Sequence, residues 1–248
     1  MPIKQIMNTK ANIFSQLQNE IFSFQRFKKP LSGDVLDVGL QVIKNAFPGA
    51  EFPLASIHEF LCETIEDVAA TNGFIAGITS AFMRKGGIAI WISPKRTIFP
   101  PALKSFGVSP EKIIFIDLHN EKEILWVIEE ALKCDGLSAV IGETRSLSLI
   151  ASRRLQLAVE KSLVTGFIIR TNCHNINATA CVARWRVKHL KTVSENHLPG
   201  VGFPRLNIEL LKVRNGKPGV WQLEWAAGKF RHISNVAVVF PEKQKKAV

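Results

Sequence analysis

Apolar residues follow two rhythms along this chain, and the change between them falls near Asn172. Before it they come in short continuous runs, at Ile57 to Leu61, Ile88–Ser93, Ile113–Leu118, Ala139–Glu143 and Gly166–Thr171. Helical spacing fills the intervals, over Val68 to Met83, Pro101–Phe106, Lys122–Leu132 and Leu147–Ser162, with Gly73 and Gly77 marking a close approach in the first. Continuous apolar strands alternating with helices predict an α/β domain, a mostly parallel sheet covered on both faces. After Asn172, Arg184–Leu190, Leu206–Arg214 and Val220–Trp225 alternate polar with apolar, and Asn215-Gly216-Lys217-Pro218-Gly219 is a turn joining the last two. That pattern predicts antiparallel, half-exposed strands at the C-terminal end of the sheet. Upstream, Ile13, Leu17, Ile21 and Phe24 form one stripe of an amphipathic helix over Asn12 to Phe27, and Leu36 to Phe47 reads as a second helix ended by Pro48-Gly49. The expected organisation is an N-terminal helix and linker over 1–34, a main domain over 35–240 and a disordered basic tail over 241–248.

Composition narrows the class. A chain of 248 residues at 46% hydrophobic builds one sizeable core without metals or bridges. It holds no apolar run of membrane-spanning length and no signal-peptide pattern, so a cytoplasmic protein with no membrane partner is expected. Cys62, Cys134, Cys173 and Cys181 are sparse and irregularly spaced, as reduced thiols are. Cys173, His174 and Cys181 match no common zinc spacing, so no metal site is expected. Charge is unevenly placed. Met1 to Thr144 carries 14 Lys/Arg against 16 Asp/Glu, whereas Arg145 to Val248 carries 18 against 5. The basic final third points to nucleic acid as a partner, or to cations that are merely solvated.

The chemistry turns on Leu61 to Val68. Where a strand-to-helix junction binds phosphate, its loop carries glycines to wrap phosphate oxygens, a lysine to neutralise them and a hydroxyl for magnesium. Glu66, Asp67 and Val68 stand in those places. Acids at the first turn of a helix have a plain structural use as well, through the helix dipole.

Several fragments in fixed order carry a resemblance. They are Phe52-Pro53-Leu54-Ala55-Ser56-Ile57-His58-Glu59-Phe60, Phe106-Gly107-Val108-Ser109-Pro110-Glu111-Lys112-Ile113-Ile114-Phe115 and Ser152-Arg153-Arg154-Leu155-Gln156-Leu157-Ala158, then Thr165-Gly166-Phe167-Ile168-Ile169-Arg170-Thr171-Asn172, Ala183-Arg184-Trp185-Arg186-Val187, Gly202-Phe203-Pro204-Arg205 and Gly216-Lys217-Pro218-Gly219-Val220-Trp221. Together they resemble the RecA superfamily, in particular the ImuA-like proteins of bacterial SOS mutagenesis, which are related to SulA-type division inhibitors. The resemblance implies a RecA-like core and residues for ATP chemistry that are absent here. Lys95 falls where the water-orienting glutamate would be, and Gly142, Glu143 and Thr144 end the strand that would carry a magnesium-associated aspartate, a role that Glu143 alone of these elements could still serve. Phosphoryl transfer depends on these parts acting together, so no ATP hydrolysis and no nucleotide cofactor are expected.

What remains of the implied function is binding. The superfamily places DNA-facing loops after the fourth and fifth strands. Arg153 and Arg154 lie on the helix after Glu143, Arg170 and Asn172 end the next strand, and Asn172 to Ala180 occupies the position of a DNA-binding loop. Arg184, Arg186 and Lys188 project from one face of a strand, with Trp185 and Val187 on the other, a spacing that suits a phosphate backbone or an edge guarded by charge. Trp221 and Trp225 share a face and either stack bases or, more in keeping with aromatics, fill a core. His58 reads as a buried, satisfied histidine. The resemblance implies partners for translesion synthesis across DNA damage: DNA, an inactive Y-family polymerase homologue, a catalytic polymerase of replicative type and RecA itself, with self-association through the N-terminal helix. Two other readings stand beside this one, a SulA-like protein-only regulator of cell division and a divergent ATPase.

Overall fold

The computed structural model describes residues 37–84, 87–173, 176–192 and 202–233. The helix expected over 12–27, the linker that follows it and the tail from 241 lie outside these residues. Among the described residues nine strands form one sheet: β1 (Ile57–Leu61), β2 (Ala89–Ser93), β3 (Ile113–Asp117), β4 (Ala139–Thr144), β5 (Thr165–Arg170), β6 (Ala183–Leu190), β7 (Arg205–Val213), β8 (Gly219–Ala226) and β9 (Lys229–His232). Their order is β3-β2-β4-β5-β1-β6-β7-β8-β9. Pairing is parallel from β3 across to β6 and antiparallel from β6 to β9. The expected architecture is therefore present, and it is consistent with a RecA-like core.

Among the described residues three α-helices cover the sheet: α1 (Ile65–Met83), α2 (Glu121–Lys133) and α3 (Leu149–Ser162). On one face α1 packs with the aromatic core of Phe60, Phe74, Trp91, Phe167 and Trp185. Every residue of α1 from Ala70 to Met83 is buried, as a helix that is apolar all round requires. A Cβ at Gly77 would meet the Phe230 ring at 2.6 Å, and one at Gly73 would meet Phe106 at 2.9 Å, so both glycines admit neighbouring aromatics. On the other face the amphipathic α2 buries Ile124, Ile128 and Leu132, and α3 buries Leu155 and Val159.

Three local elements differ from the sequence pattern. The helix expected over Leu36 to Phe47 is a short 3₁₀ helix, Leu40–Ala46. Gly39 interrupts it at φ +95°, and a Cβ there would lie 1.8 Å from the Phe230 carbonyl oxygen, because the backbone of β9 packs directly on it. The segment from Pro100 to Phe106 is likewise 3₁₀, with prolines at its first turn. Strand β9 escaped notice since its hairpin turn, Ala227–Gly228, has positive φ at both positions without the usual Asn-Gly signal.

Candidate functional site

Between β1 and α1 only Cys62, Glu63 and Thr64 intervene. Thr64 is the N-cap. Its hydroxyl accepts from the Asp67 backbone N–H at 3.2 Å, while Asp67 Oδ2 accepts from the backbone N–H groups of both Glu63 and Thr64 at 3.2 Å. Two of the N–H donors at this junction are thus bonded to a carboxylate of the chain itself. Asp67 is buried, Val68 half-buried and Glu66 exposed. Hydrogen bonds from its own backbone N–H and from the Thr64 hydroxyl hold Glu66 below its usual pKa. Behind the loop, burial pushes the Cys62 thiol up to about 12, and its sulfur pairs with the Thr71 hydroxyl at 3.3 Å.

Lys95 is exposed beyond β2. Glu143, at the end of β4, is 3% exposed and accepts from the Trp91 indole N–H at 3.0 Å. Burial holds its carboxyl above the usual range. One of its oxygens is therefore occupied by an indole in an apolar setting.

The DNA-contact candidates singled out in the sequence separate into three groups. Arg170 and Arg184 are buried and converge on Glu59, at 2.9 Å and 2.8 Å. Glu59 has no exposed surface and also accepts from the Thr179 hydroxyl at 2.7 Å. Arg184 further donates to the Asn177 carbonyl at 2.7 Å. This cluster ties β1, β5 and β6 to the segment 176–182, so the exposed cationic row expected at Arg184, Arg186 and Lys188 is corrected at its first member. Arg186 is flanked by Glu63 at 3.5 Å and Glu209 at 3.4 Å, and Arg154 pairs with Glu129 at 2.5 Å on the outer surface of α2 and α3.

Arg153, Asn172 and Lys188 form the third group. Arg153 and Asn172 are exposed and Lys188 is half-buried; neither Arg153 nor Lys188 has an ion-pair partner among the described residues. Asn172 takes the left-handed conformation at φ +53°, which asparagine tolerates better than most residues. Asn172 and the exposed Arg145 follow the C-terminal ends of β5 and β4, Lys188 and the exposed Lys191 lie in and just after β6 beyond its pairing with β1, and Arg153 lies early in α3, the helix after β4. The segment after β5 is pinned there: Asn177 donates to the Leu147 carbonyl at 2.8 Å, and the Ala180 N–H donates to the Ser152 hydroxyl at 2.9 Å. Arg145, Lys191 and the anchoring Glu59 were not singled out in the sequence. Glu59 gave no signal there because its partners lie 111 to 125 residues away.

Trp225 and Trp221 belong to the core side. Trp225 is 4% exposed and donates to the Ser105 carbonyl at 2.7 Å, while Trp221 packs partly buried against the same cluster. His58 is fully buried between partners, with Nε2 2.7 Å from the Pro53 carbonyl and Nδ1 accepting from the Trp185 indole at 3.2 Å.

No family model matches the chain. Two curated relatives do, each called Protein ImuA, from Caulobacter vibrioides strains NA1000 / CB15N and ATCC 19089 / CIP 103742 / CB 15. Each is 31% identical over 205 residues, covering 77% of this chain and 83% of the relative. The chain belongs to the ImuA family. This is the family that the ordered fragments pointed to, and its setting is DNA-damage-induced mutagenesis. No helix among the described residues is long and apolar enough to cross a membrane.

Proposed function

We propose that this chain is a non-hydrolysing, DNA-binding adaptor in DNA-damage-induced mutagenesis, using no nucleotide cofactor. The carrying observation is the Asp67 carboxylate bonded to the N–H groups of Glu63 and Thr64. A phosphate there would have to displace a covalently tethered anion and face the negative Glu66. The same end of the sheet keeps Arg145, Arg153, Lys188 and Lys191 accessible, a set able to meet backbone phosphates as Arg170 and Arg184 are not. Family membership supports the setting, with a Y-family polymerase homologue, a replicative-type polymerase and RecA as the partners of such an adaptor.

The test is binding of labelled single- and double-stranded DNA across a salt series, with and without Mg-ATP. The expected result is salt-sensitive binding indifferent to ATP, weakened by Arg153→Glu and Lys188→Glu. Each lost phosphate contact should lower the slope of log affinity against log salt by about 0.9 on duplex DNA. No binding at low salt would overturn the DNA reading and leave a protein-only adaptor; ATP-dependent binding would overturn the absence of a nucleotide cofactor, and phosphate release from Mg-ATP would overturn the non-hydrolysing reading.

A further inference from the structure

The outer surface of α2 and α3 carries a groove that the DNA reading does not use. It has two adjoining cavities, of about 310 Å³ and 210 Å³, which share Glu129 and Arg154. Leu125, Leu155 and Ala158 line it, and Trp126 and Leu157 stand beside them at 59% and 48% exposure. A tryptophan left this open on a structured helix, next to a groove with apolar lining, is what an unoccupied anchor surface presents.

Charge identifies the occupant. Lys122, Lys133, Arg154 and Lys161 line the cavities with Glu129; Glu129 pairs with Arg154 at 2.5 Å, and Lys133 is held by Glu130 at 2.6 Å and Glu129 at 3.4 Å, which leaves Lys122 and Lys161 as the lining cations with no ion pair among the described residues. From Lys122 to Lys133 the groove runs about 16 Å, the length of roughly three helical turns. We propose that this groove docks an acidic amphipathic helix of a partner protein, apolar side chains seated between Trp126 and Leu157 and carboxylates on the flanking cations. The chain's own Asn12–Phe27 segment fits poorly, having one acid, Glu20, against Arg26 and followed by Lys28 and Lys29. A DNA backbone would satisfy the cations but leave the exposed apolar side chains in water. The proposal stands on the groove alone and survives failure of the DNA reading.

Selection of displayed random 18-residue peptides against the full chain tests it, followed by anisotropy measurements on the enriched peptides. The expected winners carry net negative charge and an apolar stripe of helical period. Their affinity should fall at least tenfold for Trp126→Ala and for Lys161→Glu, both surface changes checked by circular dichroism for an unchanged fold. Winners that are basic or lack the stripe, or that bind both variants as tightly as the parent, would overturn the proposal, as would failure to enrich any peptide. Displacement of the peptides by a DNA duplex whose own binding is weakened by Lys161→Glu and not by Arg153→Glu would reassign the groove to nucleic acid.

Discussion

Glu59 shows how much one side chain decides. It is fully buried and accepts from Arg170, Arg184 and Thr179, so two guanidinium groups that read as DNA contacts in the sequence are consumed inside the fold. A buried cluster of this kind adds little net stability over apolar packing, yet breaking one member leaves charge uncompensated. Glu59→Gln is therefore expected to lower stability by about 3 kcal/mol in urea unfolding, and a loss under about 1 kcal/mol would mean that the arginines find other partners. The sequence displayed the arginines but hid the acid, because a lone glutamate within an apolar run has no local signature. Arg186 repeats the lesson more mildly, lying between Glu63 and Glu209.

At the scale of elements, the start of α1 explains how acids settle into a position that a phosphate loop would fill. The Thr64 and Asp67 side chains satisfy N–H groups that no other part of the helix can reach. Thr64→Ala is expected to cost about 1 kcal/mol of stability in urea unfolding; no change would show that the cap contributes nothing in solution. This element was legible from the Glu66-Asp67-Val68 triplet and the following apolar stretch, although its first turn begins earlier than the apolar pattern suggested. Less legible was the edge hairpin of β8 and β9. Its turn uses Ala227 at φ +52°, an unusual residue for that conformation, held because Phe230 packs on Trp225 at 4.7 Å between ring centroids.

For the molecule as a whole, the aromatic core sets a pH response. Burial lowers the His58 pKa from 6.5 to about 4. Between those values the unfolded chain binds the proton and the folded chain does not, so this contribution is complete above pH 6.5 and is lost as the pH falls towards 4. Glu143, raised by burial, acts in the opposite sense. Comparing the parent with His58→Gln separates the two: the parent's stability advantage is expected to shrink by roughly 3 kcal/mol from pH 7 to pH 4, and an unchanged difference would show that His58 titrates normally. The sequence by itself determined the alternation of strands and helices, the antiparallel ending, the acids at the head of α1 and the basic bias of the final third, because hydrophobic period, capping chemistry and charge are local properties. Only the tertiary structure decided which cations remain available. Strand order brings β1 between β5 and β6, which sets Glu59 against Arg170 and Arg184, and packing α2 beside α3 makes a cationic groove from residues that neither helix reveals alone. Pairings across more than a hundred residues depend on sheet order and register, which a one-dimensional pattern does not encode.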